Sequence, residues 1–185
     1  MASRRNPLFS LMQAVQTINQ QCLDDLLVKA HQVPRLRTIH CFHAGDWEHC
    51  HRMLNALAVG TYVRPHRHGD QHQTEGFIIL RGCLAILIFD EQGQVETANS
   101  CILSVASGDI GTNIKPGIWH TLVALEDSVI YEVKGHPTGG FVMERDKDFS
   151  PWSPAEGSEA AQPYLGELTI LAQQLISPEL SQHSS

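Results

Sequence analysis

At 185 residues the chain has the size of one domain, and with 42% apolar and 18% charged residues it can build a core and is not a disordered tail. Thirteen basic against twenty acidic residues give a formal charge of −7 and a pI near 5.8, which excludes an electrostatic grip on nucleic acid or on an anionic membrane. Eleven histidines against four lysines is the one unusual ratio, and it points toward metal.

Leu8, Leu11, Met12, Val15 and Ile18, then Leu23, Leu26, Leu27 and Ala30, recur at helical spacing until Pro34 stops any helix. Residues 1–35 therefore read as an N-terminal helical arm. From about Leu36 the text changes to short β-favouring runs: Leu36–Cys41, Met53–Val59, Thr61–His66, Gly76–Arg81, Cys83–Asp90, Val95–Val105, Asp109–Ile114, Trp119–Leu125 and Ser128–Lys134. Gly60, Gly82, Gly93, Gly108 and Pro116-Gly117 punctuate them. Many short strands with no long helix between them predict antiparallel pairing, as an all-β barrel or sandwich over residues 36–135. Residues 136–185 read as a C-terminal wrap and tail: Pro137, Pro151 and Pro154 make it irregular, Tyr164–Ile176 closes as a short helix, and the Ser-rich end from Ser177 frays.

Residues Met1 to Pro7 are followed by no clean apolar run, and the longest such run, Cys83–Phe89, is too short to span a bilayer. Cysteines 22, 41, 50, 83 and 101 form an odd count without a framework, the pattern of reduced thiols in a cytoplasmic protein.

The informative stretch is Gly60-Thr-Tyr-Val-Arg-Pro-His66-Arg-His68, with Glu75 and Gly82 after it. Side chains two apart on a strand share a face, so His66 and His68 can reach one ion. Glu75 shares its face with the apolar Phe77 and Ile79, which aims its carboxylate into the core, where a lone charge is costly unless paired or metal-bound. His120 likewise shares a face with Leu122 and Ala124. Three imidazoles and one carboxylate suit a single divalent transition metal, with Fe, Mn, Ni, Co and Zn all admissible, and leave positions open for a ligand. His72 is the rival to Glu75 as fourth ligand, but the interval from Glu75 to Gly82 keeps the following strand in register.

These residues, Gly60-x5-His66-x-His68…Glu75-x6-Gly82 and Pro116-Gly-Ile-Trp-His120, resemble the two motifs of the cupin superfamily. The segments "LNALAVGTYVRPHRH", "FIILRGCLAILIFDEQG", "PGIWHTLVAL", "YEVKG" and "DKDFSPWSPAEG" are similar to the WbuC-type cupin metalloproteins. The resemblance implies a single antiparallel β-barrel (double-stranded β-helix) holding a metal on His66, His68, Glu75 and His120, with a link to polysaccharide biosynthesis. Six residues separate His68 from Glu75, more than in general cupins, and the second motif is one residue short.

Strand parity carried back from His66 places Arg64 and Tyr62 on the metal's face, so Arg64 is expected to hold an anionic group. Arg35 and Arg37, which share a face, are expected to line the mouth. Tyr62 and Tyr131 are the candidate acid–base residues, and His136 is a further one. Cys83 and Cys101 read as core. The cluster His40-Cys-Phe-His43 and His49-Cys-His51 lacks the paired spacing of structural zinc sites, and adjacent strand residues face opposite ways, so no second metal site is expected there. The function expected is a metal-dependent enzyme, an isomerase or a dioxygenase, acting on a small anionic or sugar-derived molecule. The alternative is a binding or sensing protein without turnover. A swapped arm predicts a homodimer.

Overall fold

The computed structural model describes residues 14–69, 73–106, 108–135 and 141–176. Its elements run α1 (Gln20–His31), β1 (Arg37–Cys41), β2 (Cys50–Leu57), β3 (His66–Arg67), β4 (Glu75–Arg81), β5 (Cys83–Phe89), β6 (Cys101–Ser104), β7 (Gly111–Ile114), β8 (Trp119–Ala124), β9 (Ser128–Gly135), α2 (Met143–Asp146), β10 (Asp148–Phe149) and α3 (Ala161–Ile176). The strands form two five-stranded antiparallel sheets, ordered β1-β2-β9-β4-β7 and β10-β3-β8-β5-β6.

β5 shows how the sequence builds the layers. Its unbroken apolar run is what a strand covered on both faces requires. Leu84, Ile86 and Ile88 point between the sheets, where they meet Phe77, Ile79 and Ile130. Ala85, Leu87 and Phe89 point outward, where Leu165, Leu168 and Ala172 of α3 cover them. α1 does the same for the other sheet, laying Leu23, Leu26, Leu27 and Ala30 on Leu54, Ala56 and Val129. The Asn19 side chain caps α1 by accepting from the Cys22 N–H at 3.0 Å, and the helix ends at His31, ahead of Pro34. Among the described residues no helix is long and apolar enough to cross a membrane.

Several expectations change. The arrangement is two facing sheets rather than one closed barrel, since no ladder joins the outer strands of one sheet to those of the other among the described residues. The helical pattern expected over residues 8–18 lies partly outside the described residues, and 14–19 is not helical. The strand expected over Thr61–His66 shrinks to His66–Arg67, preceded by Pro65, which has no N–H to give a ladder. The long run Val95–Val105 pairs as a strand only over Cys101–Ser104. The irregular C-terminal segment contains a four-residue helix and a short strand, β10, which pairs with β3 in the register Phe149 opposite His66.

Candidate metal centre

At one end of the space between the sheets the apolar interior gives way to ionisable groups. His66 on β3 lies directly opposite His120 on β8, His68 follows two residues later, and Glu75 opens β4 from the facing sheet. The turn before β8 is tied to this strand by the Gly117 N–H, which donates to the His68 carbonyl at 2.9 Å, with Gly117 at φ +77°. All four side chains are at most 3% exposed, and one donor atom from each lies within 4.8 Å of the others. The ring centroids of His66 and His120 are 4.5 Å apart, those of His66 and His68 5.3 Å, and those of His68 and His120 5.7 Å.

The chemistry follows from the protons. Each imidazole places Nδ1 against a backbone carbonyl: His66 on Arg64 at 2.9 Å, His68 on Asp146 at 2.7 Å, His120 on Ile118 at 2.9 Å. A carbonyl only accepts, so every Nδ1 carries its proton, and in the neutral ring Nε2 is then a bare lone pair. Burial, with the Lys147 ammonium next in importance, holds His66 well below the usual imidazole range and hence neutral. Glu75 Oε2 lies 3.0 Å from Nε2 of His120 and 3.3 Å from Nε2 of His68. Lone pairs facing one another at these distances repel unless a proton or a metal cation lies between them. The His68 Nε2 atom is in addition buried without a hydrogen-bond partner. Histidines oriented through Nδ1 onto carbonyls, with Nε2 converging on a carboxylate, have the donor set of a divalent transition-metal site. These residues fit such an ion.

Two lysines that sequence reasoning missed complete the site. Lys134 Nζ lies 2.6 Å from Glu75 Oε1 and 3.0 Å from Glu132 Oε1, and Asn55 donates to Glu132 Oε2 at 3.2 Å. Burial alone pushes the Glu75 carboxyl up, but the Lys134 ammonium outweighs it and holds Glu75 well below the carboxylate range. Glu132 has the opposite balance, and burial pushes it up. Burial opposes the charge on Lys134, yet Glu132 and Glu75 raise its affinity for the proton. The second, Lys147, is half-buried, and burial followed by the nearby Lys134 charge lowers it to about 8. Strand parity marks Glu132 and Lys134, since both share a face with the core residue Ile130. Nothing local marks Lys147.

The other expected residues are placed differently. Parity does not run back through Pro65: Val63 enters the core between the sheets, while Tyr62 packs with Tyr164 under α3 and its hydroxyl donates to the Pro154 carbonyl at 2.9 Å. Burial pushes the Tyr62 phenol up to about 12. Tyr131 alternates with Glu132 and faces the α1 side against Phe42. Neither tyrosine is positioned as an acid or base toward the four-residue cluster. Arg64 donates to Ser153 Oγ at 3.1 Å and to the Ser150 carbonyl at 2.9 Å, with its guanidinium over the Phe149 ring. Arg35 and Arg37 clamp Glu156, and Arg37 also donates to the Tyr62 carbonyl at 2.8 Å. All three arginines thus hold the C-terminal segment. His72 and His136 lie outside the described residues.

With this geometry established, comparisons place the architecture among known structures. The chain superposes with a TM-score of 0.51 on a structural-genomics protein from Shewanella oneidensis, at 14% identity over 82% of this chain and 95% of that one. The same score and identity relate it to a mutant salicylate 1,2-dioxygenase from Pseudoaminobacter salicylatoxidans solved in complex with gentisate, over 81% of this chain and 42% of the dioxygenase. The fold is cupin-like. A family model described as a domain of unknown function, DUF6016, matches residues 18–101, a span that includes His66, His68 and Glu75 but not His120. No curated protein matches the sequence.

Proposed function

We propose that the chain is a metalloprotein whose His66, His68, Glu75 and His120 bind one divalent transition metal, and that it acts as an enzyme on a small anionic or sugar-derived molecule. The observation that carries the reading is the convergence of bare Nε2 lone pairs on the Glu75 carboxylate. A dication held there acts as a Lewis acid on an oxygen-bearing ligand. The three backbone carbonyls fix the ring orientations, and Lys134 fixes Glu75 by holding Oε1 while Oε2 faces the imidazoles.

The preference for an anion follows from charge. Glu75 and Lys134 cancel, Glu132 is shifted toward its neutral form, and the imidazoles are neutral ligands, so a bound dication leaves the pocket strongly positive. Lys147 adds to that charge, and we assign to it the pairing with a carboxylate, phosphate or sugar acid. The Arg64 guanidinium serves at one remove, holding Phe149 and Ser150 beside it. A like-folded dioxygenase carrying gentisate agrees with an oxygen-rich anionic ligand, and isomerisation or oxidation is the reaction type that such a site serves.

The test is elemental analysis of tag-free protein purified without a chelating column, beside His66→Ala and His120→Ala. Near-stoichiometric metal in the parent and its loss in both variants is expected. A parent without metal that takes up none on dialysis against Fe(II), Mn(II), Ni(II), Co(II) or Zn(II) overturns the reading.

A further inference from the structure

The three rings of the histidine cluster are not oriented in the same way. His66 and His120 each donate from Nδ1 to the carbonyl two residues before them, that of Arg64 and of Ile118, so their own local chain sets them. His68 donates instead to the carbonyl of Asp146, 78 residues along the chain, at 2.7 Å. Its orientation therefore depends on what holds that carbonyl in place. Asp146 is the last residue of α2, a helix of four residues. So short a helix satisfies few of its own backbone groups and is not stable by itself. Val142, at its N-cap, makes no side-chain capping hydrogen bond.

What closes α2 is the side chain of Asp146. Its Oδ2 accepts from the Val142 N–H at 2.6 Å, while the Asp146 N–H donates to the Val142 carbonyl at 2.8 Å, so two bonds join the ends of the turn. The Arg145 guanidinium donates to Oδ1 and Oδ2 at 2.6 and 2.8 Å. Asp146 is 2% exposed, although its carboxylate is not one of the four donors gathered at the cluster. A buried carboxylate is costly unless its lone pairs are used, and here the donors of one turn use them. We propose that the Asp146 carboxylate is a positioning group for His68: by closing α2 it sets the acceptor that keeps the His68 proton on Nδ1 and the Nε2 lone pair turned to a metal.

A His68 ring without that acceptor flips or changes tautomer, and either change takes the Nε2 lone pair away from the cluster. The effect falls on one ligand of the four, because His66 and His120 are set by carbonyls on their own strands' approaches and Glu75 by Lys134. The consequence for metal affinity rests on the metal reading of the cluster, whereas the closure of α2 and its hold on His68 do not.

The test reads the ring directly. Long-range ¹H–¹⁵N spectra of chelator-treated, ¹⁵N-labelled protein report which ring nitrogen is protonated, whether or not metal binds. The parent is expected to hold His68 as the Nδ1–H tautomer. Asp146→Ala should average its signal over both tautomers, and Asp146→Asn, which keeps an acceptor for the Val142 N–H, should restore most of it, with His66 and His120 unchanged in both. Arg145→Met, at a side chain 40% exposed, makes the same test with less demand on the fold and should show the same change at smaller amplitude. The second arm is Zn²⁺ affinity by competition with a chromophoric chelator. Asp146→Ala should weaken binding by about 10–100-fold. In a His68→Ala background the same change should cost less than about twofold, because the ligand through which Asp146 acts is gone. A His68 tautomer unaltered in Asp146→Ala, or in Arg145→Met if Asp146→Ala does not fold, overturns the proposal, as do equal losses of affinity in the two backgrounds. A parent that binds no Zn²⁺ removes the metal reading, and the tautomer arm then decides the role of Asp146 alone.

Discussion

Replacing Lys134 by methionine tests the electrostatics of the interior most directly. The ammonium sits 2.6 Å from Glu75 and 3.0 Å from Glu132, and both carboxylates are almost wholly buried. Removing one partner from a buried charge group costs about 3–5 kcal/mol, because the remaining charges stay desolvated. For a chain of 185 residues that is a fall in Tm of roughly 6–20 °C. The pH dependence must also change. In the parent, Glu75 is held below its unfolded value, so its stabilisation is complete above about pH 4.3 and fades as the pH falls through the lower folded value. In Lys134→Met, burial acts on Glu75 and Glu132 without the counter-charge, so both titrate above their unfolded values and their contribution is lost as pH rises. The gap between parent and variant therefore widens from pH 4.5 to pH 8.5. Urea unfolding of chelator-treated protein across that range measures it. A penalty below about 1 kcal/mol at pH 8, or one independent of pH, refutes the reasoning.

Other substitutions probe the scaffold. In Gly82→Ala, at φ +83°, the new Cβ would stand 2.4 Å from the Asp127 carbonyl and 2.9 Å from Ser128 Cα, so backbone must move, and a loss of about 2–5 kcal/mol is expected in chemical denaturation. Gly117→Ala, at φ +77° with nothing within 4 Å, should cost only the left-handed strain of about 1–2 kcal/mol, and equal losses at the two positions would contradict the collision. Leu168→Ala removes a side chain that is 2% exposed and packed on the outer face of β5, and should lower stability by about 2–5 kcal/mol. Glu156→Gln leaves the Arg37 guanidinium, 14% exposed, without its carboxylate and should cost about 1–3 kcal/mol. Arg35→Ala, at a side chain 64% exposed, should cost less than about 1 kcal/mol, and the reverse order would show that the outer arginine carries the clamp.

The sequence reveals what obeys a short period. β5 announces itself as a strand buried on both faces, and the two-residue repeat puts His66 with His68, Glu75 with Phe77, and His120 with Leu122. The same repeat misleads where the ladder stops. Tyr62 and Arg64 lie beyond Pro65, in chain that pairs with no neighbouring strand, and alternation has no physical basis there. Lys134 and Glu132 were legible, for their positions on β9 alternate with Tyr131 in step with Ile130. Lys147, the Asp146 carbonyl and the stacking of His43 on His51 were not. Each depends on a turn or a distant pairing that brings together residues with no shared periodicity.

The segment from Val142 to Glu156 is where fold and site become one thermodynamic unit. Its Asp146 carbonyl fixes the His68 ring, β10 pairs with the strand carrying His66, and Lys147 brings its charge toward the pocket. The segment is anchored in turn by Arg64 on Ser150 and Ser153, by Tyr62 on Pro154, and by the Arg35 and Arg37 clamp on Glu156. Loosening any anchor raises the population of a state in which His68 has lost the acceptor that fixes its tautomer. A cation that binds only the assembled cluster draws that population back, by an amount set by its concentration over its dissociation constant. By the same linkage, a substitution at Glu156, far along the chain from the histidines, must weaken the affinity of the cluster for its cation to the extent that it undocks the segment.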